Sequence, residues 1–116
     1  MTRIAFVSCA HPQLRLVQPA WDAIAAARPD LLLLLGDNTY MSWDREAWHG
    51  DRWQPEALRQ NYALQFAKPG FRQLLDTVPH LAIWDDHDFG WNDCVGSELT
   101  PERLAATRAL FDQYLG

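Results

Sequence analysis

The sequence predicts an α/β fold built on short parallel strands flanked by helices. Three apolar runs predict it, because each is too short for a stable helix and each stops at polar residues suited to chemistry. Ile4 to Val7 ends in Ser8-Cys9-Ala10, Leu31 to Leu35 ends in Gly36-Asp37, and Leu81 to Trp84 ends in Asp85-Asp86-His87. Segments of helical character lie between them, and strand, helix, strand in that order makes a right-handed βαβ unit.

Each element carries its own signal. The N-terminus reads directly into the first strand. Pro19 to Arg28 is helical: Pro19 suits a first turn, and Trp21, Ile24 and Ala25 share a face. Pro29-Asp30 punctuates it. Leucine prefers helix, yet the five leucines 31–35 sit between Pro-Asp and Gly-Asp, where no stable helix fits. A continuous apolar run there matches a central parallel strand buried on both faces. A loop rich in tryptophan and charge follows (Trp43, Trp48, His49, Asp51, Trp53). The next helix is expected from about Pro55 to Phe66, with Leu58, Tyr62 and Phe66 at i, i+4 and i+8. A further turn or two spans Phe71 to Val78, with Phe71, Leu74, Leu75 and Val78 on one face, and Pro79 ends it. Thr100-Pro101 pairs a capping residue with a first-turn proline, opening a last helix that carries Leu104, Phe111 and Leu115 inward. No internal repeat, linker or low-complexity segment is evident.

Composition narrows the function classes. A chain of 116 residues suits one domain, and the apolar fraction of 48% is enough for a core. The net charge of −5 argues against a nucleic-acid backbone or an anionic membrane as the main partner. No apolar run approaches the roughly 18 residues of a membrane span. With no signal-peptide core and only two cysteines, Cys9 and Cys94, a reducing, cytoplasmic home is expected.

In an open α/β sheet, ligands bind beyond the carboxyl ends of the strands. Three strand ends therefore bring Cys9, Asp37 and Asp85-Asp86-His87 to one edge. Asp37 after a buried strand can present both oxygens to metals, or it can form an Asx turn or helix cap. The segment 84–88 is harder to explain blandly. Asp85, Asp86, Asp88 and Asp93 fall within nine residues, and such carboxylates repel unless cations or water sit among them. They are ligands for hard ions, and His87 can ligate or act as an acid. Cys9 reads as a small buried residue, a thiolate ligand, or a nucleophile paired with a histidine such as His11. Its nearness to Asp37 favours the ligand. Tyr40 alone is an ordinary aromatic, yet three residues beyond a metal-binding Asp its phenolate is within reach of a ferric ion. Cys94 reads as structural. Of the six tryptophans, Trp21 and Trp84 belong to the core, while Trp43, Trp48, Trp53 and Trp91 either wall a cleft or pack loops down. Asp88-Phe89-Gly90 matches a kinase tripeptide, but no Gly-rich loop or catalytic-loop motif accompanies it.

Taken together, Ser8-Cys9-Ala10, Gly36-Asp37-Asn38-Thr39-Tyr40, and Trp84-Asp85-Asp86-His87-Asp88 with Trp91-Asn92-Asp93 behind resemble the alkaline phosphatase D (PhoD-like) family of the metallophosphoesterase superfamily. Order, spacing and strand context match over essentially the whole chain. The resemblance implies an α/β/β/α sandwich and a multinuclear site of ferric iron with calcium, with zinc or manganese as alternatives. It implies Asp37 as the bridging carboxylate and Cys9 and Tyr40 as iron ligands. Against the superfamily's Gly-Asn-His-Asp/Glu motif, Asp86 takes the metal-ligand slot and His87 the acid slot, with Asn92 the other candidate for the second ion. The implied reaction is hydrolysis of a phosphomonoester or phosphodiester.

Family members are longer, and their later histidine and aspartate motifs complete the metal shell. The histidines here, His11, His49, His80 and His87, stand in no such setting. The expectation is thus residues 1–116 as the N-terminal portion of such a domain, without its C-terminal half or second sheet, and prone to self-association through open sheet edges. Two rival functions stand beside the metallohydrolase: a non-catalytic metal-binding or interaction domain, and a cysteine-dependent hydrolase using Cys9.

Overall fold

The five-leucine run is the middle strand of a sheet. In the computed structural model, β1 (Ile4–Val7), β2 (Leu31–Leu35) and β3 (His80–Ile83) lie in the order β1-β2-β3, and both pairings are parallel. The register sets Phe6 beside Leu33 and Leu33 beside Leu81, so side chains on one face form rows across the sheet. The structure describes residues 1–41 and 52–116; Trp43, Trp48, His49 and Asp51 of the predicted loop lie outside the described residues.

Helix α1 (Ala20–Ala26) crosses from β1 to β2, and α2 (Pro55–Phe66) with α3 (Pro69–Thr77) crosses from β2 to β3. A single turn, α4 (Asp86–Phe89), follows β3, then a 3₁₀ turn at Gly96–Glu98 and the closing helix α5 (Pro101–Leu115). Three of the helices begin with proline in the first turn, where its missing N–H costs nothing. The bounds of α2 and the start of α5 are those the sequence predicts. Helix α3 starts two residues before Phe71, because Pro69 provides the first turn. Strand β3 is shifted one residue upstream of the expected span. The ladder's last pair is Leu35 with Ile83, and Gly36 then turns away and leaves Trp84 no partner.

The core forms on one face of the sheet. Leu32 and Leu34 point into it, and α1, α2, α3 and α5 pack on them through Trp21, Leu58, Tyr62, Phe71, Leu74 and Phe111. Tyr62 stacks on Tyr114 with ring centroids 4.9 Å apart, joining α2 to α5. Trp84 is half-buried against Phe111, as a core role requires, and Trp53 packs partly against the same cluster. A polar seam closes one side: the amides of Gln18 and Gln65 donate to each other at 3.1 and 2.8 Å, and the Trp21 indole donates to Gln18.

The expectation of a leucine strand buried on both faces is met on one face only. On the other, Phe6 is 69% exposed, Leu81 64%, Ile83 59%, Ile4 54% and Leu35 43%. Among the described residues no element covers this face. The large apolar exposure thus lies on the face of the sheet more than at its edges. This asymmetry is measurable. Leu34→Ala should lower unfolding stability by about 2–5 kcal/mol, as a truncation in a packed core does. Phe6→Ser should cost less than about 1 kcal/mol and reduce binding of a hydrophobic dye. Urea midpoints for the two variants check this; equal losses would mean that the Phe6 face is covered in solution.

Candidate metal centre

The three strand ends are sewn together at the carboxyl edge of the sheet. After β1, the backbone N–H of Cys9 donates to Gly36 O at 3.4 Å and that of Ala10 to Asp37 O at 3.0 Å. After β2, Gly36 turns with φ +95°, and a Cβ there would lie 2.7 Å from Asp85 Cβ. Glycine is therefore required both for the turn and for the approach of β2 to the chain leaving β3. Asp37 (φ 50°) and Cys9 (φ 60°) both adopt the left-handed conformation, which non-glycine residues visit at a cost of roughly 1–2 kcal/mol. Strain of this kind gathers where side chains are held for use.

Asp37, Asp86 and His87 each offer a ligand atom within 4.8 Å of the others. Oδ1 of Asp37 is buried and finds no hydrogen-bond partner among the described residues. Its Oδ2 faces the Cys9 thiol at 3.7 Å and accepts from the Tyr40 hydroxyl at 3.4 Å. The Asn61 amide holds Tyr40 from behind, donating to its carbonyl at 2.7 Å. The Tyr40 ring lies between two imidazoles, with centroids 4.3 Å from His11 and 4.3 Å from His87.

Of the two candidates for a second ion, Asp86 stands with Asp37 and His87. Asn92 instead pairs with His87: its Oδ1 lies 3.3 Å from Nε2, while its Nδ2 donates to Asp93 at 2.8 Å. Since Nδ2 is engaged with a carboxylate, the oxygen must face the imidazole, and His87 Nε2 therefore carries the proton. The Asp93 backbone N–H donates to Asp86, fixing that carboxylate in turn.

The site is short of positive charge. Burial pushes the Asp37 carboxyl above its ordinary value; His87 pulls it down, and the charges of Asp86 and Asp85 push it up. Burial, then Asp37 and Cys9, push the Tyr40 phenol up. Burial and the neighbouring His87 hold His11 below its ordinary value. Two carboxylates and an imidazole in reach of one another, with Asp37 Oδ1 unpartnered and a phenol and a thiol against its Oδ2, make a donor set that a cation fits.

Two residues take places beside the site that the sequence reading did not give them, which grouped Asp88 with the carboxylates suited to hard ions. Asp88 is fully buried, and burial pushes its carboxyl up to about 7 against the pull of three backbone amides. Asn38 is buried beside it and donates to Ile83 O at 2.9 Å. The available signal was reciprocal capping: Asp85 and Asp88, three apart, cap each other's backbone around α4. Cys94 is buried, as its structural role requires, and Trp91 is half-buried.

Comparison with known proteins gives one match. The family model described as PhoD-like phosphatase covers residues 4–110. No curated protein and no solved structure matches the chain significantly.

The two thiols should separate cleanly. Cys9 is exposed, whereas Cys94 is 4% exposed and burial pushes its thiol up. One equivalent of a disulfide reagent should react promptly with the native protein, and a second only after denaturation. Prompt reaction of both thiols, or loss of the fast phase in anything other than Cys9→Ser, would contradict this placement.

Proposed function

The chain belongs to the PhoD-like phosphatase family, and on that footing we propose that it is a metal-dependent hydrolase of a phosphomonoester or phosphodiester. The observation that carries the proposal is the convergence of Asp37, Asp86 and His87, with an unpartnered buried oxygen on Asp37. In this reading Asp37 would be the carboxylate shared by the ions. Cys9 and Tyr40, both against Asp37 Oδ2, would hold the more oxidised one, which the resemblance identifies as ferric iron. Asp86 holds the second, calcium in the same resemblance; zinc or manganese would also suit oxygen, nitrogen and sulfur donors. When bound, the ions neutralise the phosphoryl oxygens and lower the pKa of the attacking water.

The chain's own part is positioning and proton transfer. In its imidazolium form, oriented by Asn92, His87 gives a proton to the leaving oxygen as the ester bond breaks and is left as neutral imidazole. Tyr40 packs against the His87 ring and limits its rotation. The exposed Cys9 side leaves a way in for substrate.

A second reading draws on the bare apolar face of the sheet: a non-catalytic metal-binding or interaction domain, which would bind the ions without turnover. The cysteine-dependent alternative is weaker. The Cys9 thiol is directed at the Asp37 carboxylate, 3.7 Å away. Chelators should therefore abolish any turnover.

Asp37→Asn should abolish metal binding, because a neutral amide bridges two cations poorly; unchanged metal content by elemental analysis would remove Asp37 from the site. His87→Ala should lower turnover of a phosphoester with a poor leaving group by roughly 10²–10⁴-fold. The loss should shrink for p-nitrophenyl esters, whose leaving group needs little protonation, and metal content should stay near that of the parent. Loss of metal instead would make His87 a ligand.

A further inference from the structure

We infer that Asp88 is the positioning residue of this site, its buried carboxylate clamping the turn that carries Asp37 to the turn that carries Asp86 and His87. The consequence for metal binding rests on the cation-site reading above; the clamp itself rests on geometry alone. Asp88 Oδ1 accepts from the backbone N–H of Asn38 at 2.8 Å and of Thr39 at 3.1 Å. Its Oδ2 accepts from the backbone N–H of Asp85 at 3.0 Å and from Asn38 Nδ2 at 3.2 Å. Four donors saturate the carboxylate, and it is 0% exposed, so it has no lone pair free for an ion.

Each donor lies next to a residue of the site. Asn38 and Thr39 follow Asp37 directly, Asp85 precedes Asp86, and Asp88 itself follows His87. The two amides after Asp37 are also those that keep its left-handed φ of 50° in place, since releasing them would let the backbone relax and swing the carboxylate away. Asn38 adds a second tie to the end of β3 through Ile83 O. All four partners are donors, so the residue here must present acceptors only. An asparagine of the same shape would turn its NH₂ toward an N–H and leave at least one donor facing another donor.

Asp88→Asn is consequently the sharp probe, made in the full chain. Two measurements are taken: Mn²⁺ affinity by electron paramagnetic resonance titration, and native-state amide exchange without metal. We expect Mn²⁺ affinity to fall by roughly 10–100-fold, as when a partner that orients a ligand is lost. We also expect exchange at Asn38 and Thr39 to quicken while Leu32 and Leu34 in β2 keep their protection. A uniform quickening would mean general destabilisation and would overturn the positioning role, as would unchanged affinity and exchange. If the parent chain binds no Mn²⁺, the cation reading fails, and the exchange data alone decide whether the clamp exists. Should Asp88→Asn fail to fold, Asn38→Ala removes only the Nδ2 ties to Asp88 and Ile83. It should move both readouts in the same direction by less, and no movement would overturn the inference.

Discussion

Residue 36 has no Cβ, and the whole candidate site depends on that. A side chain there would press within 2.7 Å of Asp85 Cβ, so the ends of β2 and β3 would have to part. With glycine, the chain leaves β2 in a left-handed turn while staying against the chain leaving β3. The next residue on one side is Asp37, and the next on the other is Asp86. Their meeting follows from parallel strands ending in register, which a one-residue change in either turn would undo.

Close approach creates an electrostatic problem that the structure solves by sorting its carboxylates. Asp85 turns back to cap the single turn of α4, and Asp88 goes fully inside onto amide donors. Asp93 faces outward and anchors Asn92. Asp37 and Asp86 are left close together, and burial, with the charges of Asp86 and Asp85, pushes the Asp37 carboxyl up. The backbone amides favour the charged Asp88 carboxylate, although burial outweighs them and leaves its carboxyl raised to about 7. The pair left beside His87 is where a cation would relieve the repulsion.

The sheet shows a different kind of imbalance. Five leucines in a row leave a strand no polar side, and β1 and β3 likewise carry apolar residues on both faces. The helices bury one face completely at Leu32 and Leu34 and leave Phe6, Leu81 and Ile83 to solvent. A face of that size is unusual on a free surface and suits a second layer packed about 10 Å away, as in two-sheet sandwiches. No described helix is long and apolar enough to cross a membrane.

Much of this was legible in the sequence. Punctuation by Pro29-Asp30 and Gly36-Asp37 overrode leucine's helix preference and placed β2, and first-turn prolines placed α2 and α5, because these are local effects of backbone chemistry. Strand order then brought Cys9, Asp37 and Asp86-His87 to one edge, since parallel strands share the direction of their ends. The sequence could not divide labour within that edge. Four nearby aspartates look alike in one dimension, and whether each faces an amide, an imidazole or solvent depends on contacts some 50 residues apart, such as Asn38 with Asp88. Nor could it show which face of an all-apolar strand is covered, because alternation is the only local signal for facing and the leucine run has none. Sequence determined the strands, the turns and the chemical set; tertiary structure decided which carboxylate stands beside His87, which caps and which lies buried on amides, because burial and hydrogen-bond geometry exist only once the strand ends meet.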